Sequence, residues 1–143
     1  MLLGIVLSII AGMAMSVQGV MNTRLGEGIG TMEANAFVQC TAALLSAAAL
    51  IFYRTGSFSQ LGSVSRLYWL GGALGLVITL TVMLGIKSLG TTVAISIILM
   101  SQLLVAALID AFGLMGSEKI AFGWNKFVGL AVMCGGMLLF KLR

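Results

Sequence analysis

Residues 90–113 read Gly-Thr-Thr-Val-Ala-Ile-Ser-Ile-Ile-Leu-Met-Ser-Gln-Leu-Leu-Val-Ala-Ala-Leu-Ile-Asp-Ala-Phe-Gly, an apolar stretch long enough to cross a bilayer as a helix. It nevertheless carries Gln102 near its middle and Asp110 towards its end. Gln102, Ala106 and Asp110 are spaced by four and fall on one helix face. Polar groups at that depth cost several kcal/mol unless another helix or a water-filled cavity meets them. The face is therefore expected to line a small-molecule path or a packing seam.

The rest of the chain allows little else. Of its 143 residues 60% are hydrophobic and only 8% charged, with a mean hydropathy of +1.16, which a soluble domain of this size has no means to hide. The class is an all-α integral membrane protein. Nineteen glycines and no proline suit closely packed, unkinked helices. The net charge of +4 comes from eight Lys and Arg placed singly between apolar runs, as flanks of membrane spans, so no nucleic-acid partner is implied. Cys40 and Cys134 fall inside spans and read as small buried hydrophobes. Histidine is absent, and the four acids Glu27, Glu33, Asp110 and Glu118 form no metal cluster, triad or phosphate loop. No enzyme activity, metal or cofactor is expected.

Five apolar runs predict spans at about 2–21, 33–53, 67–86, 91–114 and 124–140 within a single domain, 1–143. The first is of span length with no Lys or Arg before it, so it is expected to remain as a span. Gly4, Ser8, Gly12 and Ser16 form a ladder of small residues along it, which lets another helix approach. Gln18 and Asn22 end it one turn apart, either as an interfacial polar end or as a pore-facing amide pair. Residues 23–32 are expected to be a loop. The second span opens with Glu33, Asn35 and Gln39. Glu33 either favours the positive end of the helix dipole or binds a proton or cation. Residues 55–65 and 115–125 are Ser/Gly-rich or charged loops, and 87–90 a short link. Gly71 and Gly75 suggest packing of the third span, and Gly129, Gly135 and Gly136 packing of the fifth, between protomers.

These residues resemble the YdcZ-like family of small bacterial inner-membrane proteins, within the drug/metabolite transporter superfamily. The resemblance rests on Gln18-x-x-x-Asn22-x-Arg24-Leu25-Gly26, on Trp69-Leu70-Gly71-Gly72, on Leu89-Gly90, and above all on Ser101-Gln102-Leu103-Leu104 followed by Ile109-Asp110-x-Phe112-Gly113. It implies a bundle of five transmembrane helices working as an inverted (antiparallel) pair, either a homodimer or a pairing with a homologous chain of opposite orientation. The function it implies is secondary transport, as an exporter of small metabolites or toxic compounds. The chain lacks the deep first-span glutamate of the small multidrug exporters, and a proline near the start of the third span.

Together these readings give a substrate path lined by Gln18, Asn22, Asn35, Gln39 and Gln102, with Asp110 and Glu33 as candidate coupling or gating acids. As a purely structural acid, Asp110 would sit paired or wetted near the interface. The competing class is a membrane assembly protein whose amides only join helices, although such bonds average about 0.6 kcal/mol. A passive pore would need a continuous polar stripe, and the stripes here are short.

Five spans put the termini on opposite sides. Arg54, Arg66, Lys119 and Lys126 then face Arg24, Lys87, Lys141 and Arg143, so no excess of positive charge selects an orientation. Carboxy-terminal topology reporters are expected to show both cytoplasmic and periplasmic populations. Two lysines added within residues 55–65 should shift them to one, and a wild type of single orientation would exclude insertion both ways.

Overall fold

In the lipid interior no water is present to satisfy a peptide group, so each backbone N–H and C=O must be bonded within the protein. A helix does this along its own length, and the computed structural model, which describes residues 1–120 and 123–141, is helical nearly throughout. The helices are α1 (Leu2–Ile29), α2 (Thr31–Phe52), α3 (Gly71–Leu89), α4 (Thr91–Phe112) and α5 (Trp124–Lys141). Short 3-10 helices at Phe58–Ser63 and Arg66–Leu70 lie in the connection before α3, each started by a serine side chain that accepts a backbone N–H: Ser57 from Ser59 and Ser65 from Leu67.

Among the described residues four helical stretches are long and apolar enough to cross a membrane: Leu2–Ile29, Thr31–Phe52, Arg66–Leu89 and Thr91–Phe112. The fifth apolar helix, Trp124–Leu139 within α5, is shorter. At 1.5 Å per residue, the 28 residues of α1 extend about 42 Å, beyond a hydrocarbon core of about 30 Å. Its last turns therefore reach the interface, where Arg24 donates to Glu27 at 2.9 Å.

Two expected loops are helical instead. Residues 23–29 continue α1, and 87–89 continue α3. In each case the whole connection is one glycine. Gly30 (φ 102°, ψ 143°) and Gly90 (φ 79°, ψ 162°) hold a backbone conformation open almost only to glycine. Each ends one helix and starts the next. Gly30 N–H donates to Gly26 O at 3.0 Å while its carbonyl accepts from Ala34 at 3.0 Å; Gly90 does the same with Ile86 at 2.9 Å and Ala94 at 3.1 Å. Both junctions read Gly-Thr-x-x-Ala, and the alanines, Ala34 and Ala94, are buried. The sequence reading assigned loops because glycines and charges cluster there. The peptide groups have a helical solution up to one residue, and nothing in residues 23–29 forbids it.

The chain divides into two compact units, Met1–Leu84 and Gly85–Arg143. In the first, α1 packs on α2, and the residues withdrawn from the surface are small or polar: Gly19, Asn22, Thr23, Gly26, Ala34 and Asn35, with Met83 of α3. Met83 Cε lies where a β-carbon on Gly26 would stand, so this glycine is what lets α3 seat against α1. In the second unit α4 packs on α5, with Ala107 buried in the wall between them, while Ala94 is buried on the side of Gly85 in α3. Large apolar side chains face outward from every helix, as suits an apolar solvent. Arg143, one of the charges weighed for orientation, lies outside the described residues.

A β-carbon on Gly90 would meet no atom within 4 Å, so its substitution isolates the backbone term. Gly90→Ala is expected to cost about 1–3 kcal/mol, read as a lowered unfolding midpoint in detergent. Gly72→Ala, which likewise meets no atom within 4 Å and sits in helical backbone, should be near neutral. Equal effects would remove the junction's special role.

Candidate functional site

Most polar side chains in the spans return to their own helix. Ser8 and Ser16 donate to Gly4 O and Gly12 O, Thr23 to Gly19 O at 2.7 Å, and Thr79 to Gly75 O at 2.9 Å. These i−4 bonds satisfy a hydroxyl at little cost. An amide has two donors and a two-lone-pair oxygen, more than its own helix backbone can absorb. The amides of the first unit are therefore the informative polar groups.

Gln18 and Asn22 line a small cavity between α1 and α3, of about 50 Å³, together with Thr79. Asn22 is 7% exposed and Asn35 of α2 only 1%. The Asn35 Oδ1 atom is buried without a hydrogen-bond partner. Gln39, half-buried one turn further along α2, places its Nε2 3.9 Å from where a β-carbon of Gly75 would stand. Gly75 thus serves the approach of an amide within the chain, while Gly71 meets nothing within 4 Å. The same is true of Gly4 and Gly12, so among the described residues the two glycines of the α1 ladder have open space beside them. The amides sit towards the Gly30 end of the α1–α2 hairpin. Gln39, eight residues into α2, is about 12 Å along the axis from its start.

Glu33 is exposed in the first turn of α2, with its carboxylate folded back over Gly30 at the helix start. A carboxylate there is favoured by the helix dipole and the free N–H groups. Its exposure sets it apart from the buried amides Asn22 and Asn35.

The second unit divides its polar residues differently. Asp110 and Ala106 line a cavity of about 250 Å³ between α4 and α5, along with Lys126. Gln102 does not line it: the neighbouring wall is Leu103, and Gln102 is exposed on α4. So the face of Gln102, Ala106 and Asp110 is split, since α5 covers only one edge of it. The chain turns back after Gly113, whose φ of 64° closes α4, and Ile120 N–H donates to Asp110 O at 2.9 Å. That turn brings Lys126 level with Asp110. Sequence reasoning took Lys126 only as a flanking charge. Counting back from the loop on both antiparallel helices would have paired the two. Thr23 and Thr79 carried no signal beyond their spacing from Gly19 and Gly75. Among the described residues no group of His, Cys, Asp and Glu is placed to hold a metal.

Membrane-length apolar helices, with Gln18, Asn22 and Thr79 lining one interhelical cavity and Asp110 and Lys126 another, mark a multi-pass membrane protein. The chain matches, over residues 3–139, the family described as "Putative inner membrane exporter, YdcZ", and it belongs to that family. No curated protein and no solved structure matches it.

Leaving a buried acceptor unpaired costs about 1–3 kcal/mol, whereas replacing it by an apolar group of similar size is near neutral or stabilising. Asn35→Leu should therefore unfold at the same or a higher temperature than wild type in detergent. A clear fall in stability would show that the amide is held by partners and serves packing.

Proposed function

We propose that the chain is one half of a secondary exporter, working as two inverted five-helix copies with α5 as the fifth span. In this reading Gln18, Asn22, Asn35 and Gln39 line the substrate path, and each state of an alternating-access cycle exposes it to one side. The observation that carries the reading is the buried, unpartnered Asn35 Oδ1 in an apolar hairpin that also carries Gln18, Asn22 and Gln39. Amides that only joined helices would be bonded to one another. An unpaired acceptor in a low-dielectric interior is a group held ready for a ligand.

The chemistry of the path narrows its substrate. Amides offer donors and acceptors but no charge, and the exposed Glu33 is folded against its own helix start. This favours a small polar compound, uncharged or zwitterionic, over an organic cation held by a buried carboxylate.

Gln102 supports the pairing of copies. It lies eleven residues into α4, about 16 Å along the axis and so near the centre of a core of about 30 Å, and its side chain is exposed. A primary amide facing lipid at that depth is unfavourable, and a second chain across it provides partners. The open space beside Gly4 and Gly12 of α1 offers another close-approach surface.

The test is a thermal-shift binding screen of the purified protein against polar metabolites and cationic compounds, followed by transport of the best ligand in proteoliposomes. Gln18→Ala, Asn22→Ala, Asn35→Leu and Gln39→Ala should each reduce ligand-induced stabilisation and transport while expression and oligomer yield stay near wild type. Gln102→Leu should instead lower the yield of cross-linked dimer. Parallel loss of assembly and transport in the four path variants would support the helix-joining role and overturn the path.

A further inference from the structure

The α4–α5 seam holds a feature that the proposed path does not use. Its outer cavity, about 250 Å³, has Asp110 and Lys126 as its charged lining residues; the rest of its wall is Leu103, Ala106, Ala107, Gly129, Leu130 and Met133. A second cavity of about 240 Å³ follows it along the same two helices, from Met133 to Ser96 and Gly136. Met133 borders both.

Three physical points bear on what fits there. First, the charges stand at one end. Asp110 is near the close of α4 and Lys126 near the opening of α5, beside Trp124, which is 77% exposed as an interfacial anchor. Second, the seam then runs inward among apolar residues. From Asp110 to Ser96 is fourteen residues, about 21 Å of helix, against about 15 Å for half a hydrocarbon core. Third, the width comes from small residues: a β-carbon on Gly129 or Gly136 would meet nothing within 4 Å. An apolar slot left dry forfeits its dispersion contacts, and in a bilayer the molecule at hand to fill it is a lipid chain.

We propose that this seam binds one membrane lipid, an aminophospholipid, with its primary ammonium on Asp110, its phosphate on Lys126 and an acyl chain along the Ala106, Ala107 and Gly129 wall. The charge pattern selects the class. An anionic lipid without an amine leaves the Asp110 carboxylate facing a like charge. A choline headgroup has no N–H to donate. A primary ammonium donates to the carboxylate while the phosphate accepts from Lys126, so both ionic groups are matched by charge-assisted bonds. This site is independent of the amide path, and its test needs no transport substrate.

Delipidated protein in detergent is titrated with dioleoyl phosphatidylethanolamine, with dioleoyl phosphatidylglycerol, and with free phosphoethanolamine, reading bound lipid by native mass spectrometry and the unfolding midpoint. The expected result is tighter binding of phosphatidylethanolamine than of phosphatidylglycerol, and no stabilisation by free phosphoethanolamine at matched concentration. Asp110→Asn should lower the affinity for phosphatidylethanolamine about tenfold and erase the preference. Lys126→Met should weaken both lipids. Gly129→Leu, which fills open space rather than clashing, should abolish retention of either lipid with helical content unchanged; Ala106→Leu is the second filling variant should the first misfold. Equal affinity for the two lipids overturns the assignment, as does equal binding of free phosphoethanolamine. An unchanged preference in Asp110→Asn also overturns it and returns that residue to the role of a coupling acid.

Discussion

Every peptide group that enters lipid must find its partner inside the protein, and the architecture follows from how the chain turns round under that demand. A long loop would strand several N–H and C=O groups at each reversal. Gly30 and Gly90 reduce the reversal to one residue. Each lends its N–H to the helix it ends and its carbonyl to the helix it starts, so both polar groups of the junction residue itself are used. The backbone conformation that allows this is closed to residues with a β-carbon. The threonine and buried alanine after each glycine recur at both junctions, which makes the α1–α2 and α3–α4 connections two instances of one solution.

The same solvent inverts the usual logic of burial. Large apolar side chains gain nothing by hiding from lipid and stay outside, while small residues and amides occupy the contacts between helices. The interior is therefore where polar chemistry collects, and each unit collects a different kind. Met1–Leu84 holds neutral amides near a hairpin junction, with an acceptor left unpaired on Asn35. Gly85–Arg143 holds one acid and one base at the mouth of an apolar seam. Neutral amides suit the recognition and release of a polar solute, because they bind without creating a deep electrostatic well. An acid and a base at interfacial depth suit a resident amphiphile.

Much of this was legible in the residues. Composition and run length alone determined a helical, multi-pass membrane chain, and the motifs around Gln18, Trp69 and Gln102 were enough to place it in the YdcZ family, which the family match over residues 3–139 bears out. The amides were also identifiable, because polar groups within apolar runs stand out against a solvent that does not tolerate them. What they do with their hydrogen bonds was not. Thr23, Thr79 and Asn35 are all polar residues in apolar surroundings, and only their geometry separates a hydroxyl bonded to its own helix from an acceptor bonded to nothing.

Helical spacing put Gln102 and Asp110 on one face but left open which edge of that face a neighbouring helix covers. The crossing of α4 and α5 decided it, placing Asp110 in a cavity and leaving Gln102 exposed. The junctions were misjudged for a related reason. Glycines and charges around residues 23–32 and 87–90 mark a reversal of the chain, but its length depends on whether one residue satisfies both flanking helices at once. The partners in such a decision lie four residues away on either side, and tertiary approach brings the side chains of Lys126 and Asp110 level from further still. Sequence by itself determined the solvent, the helices and the inventory of polar groups, since each is a property of local composition and period. Only the tertiary structure decided which polar groups share a space and which are left unpaired, because that depends on how helices distant in the chain lie against one another.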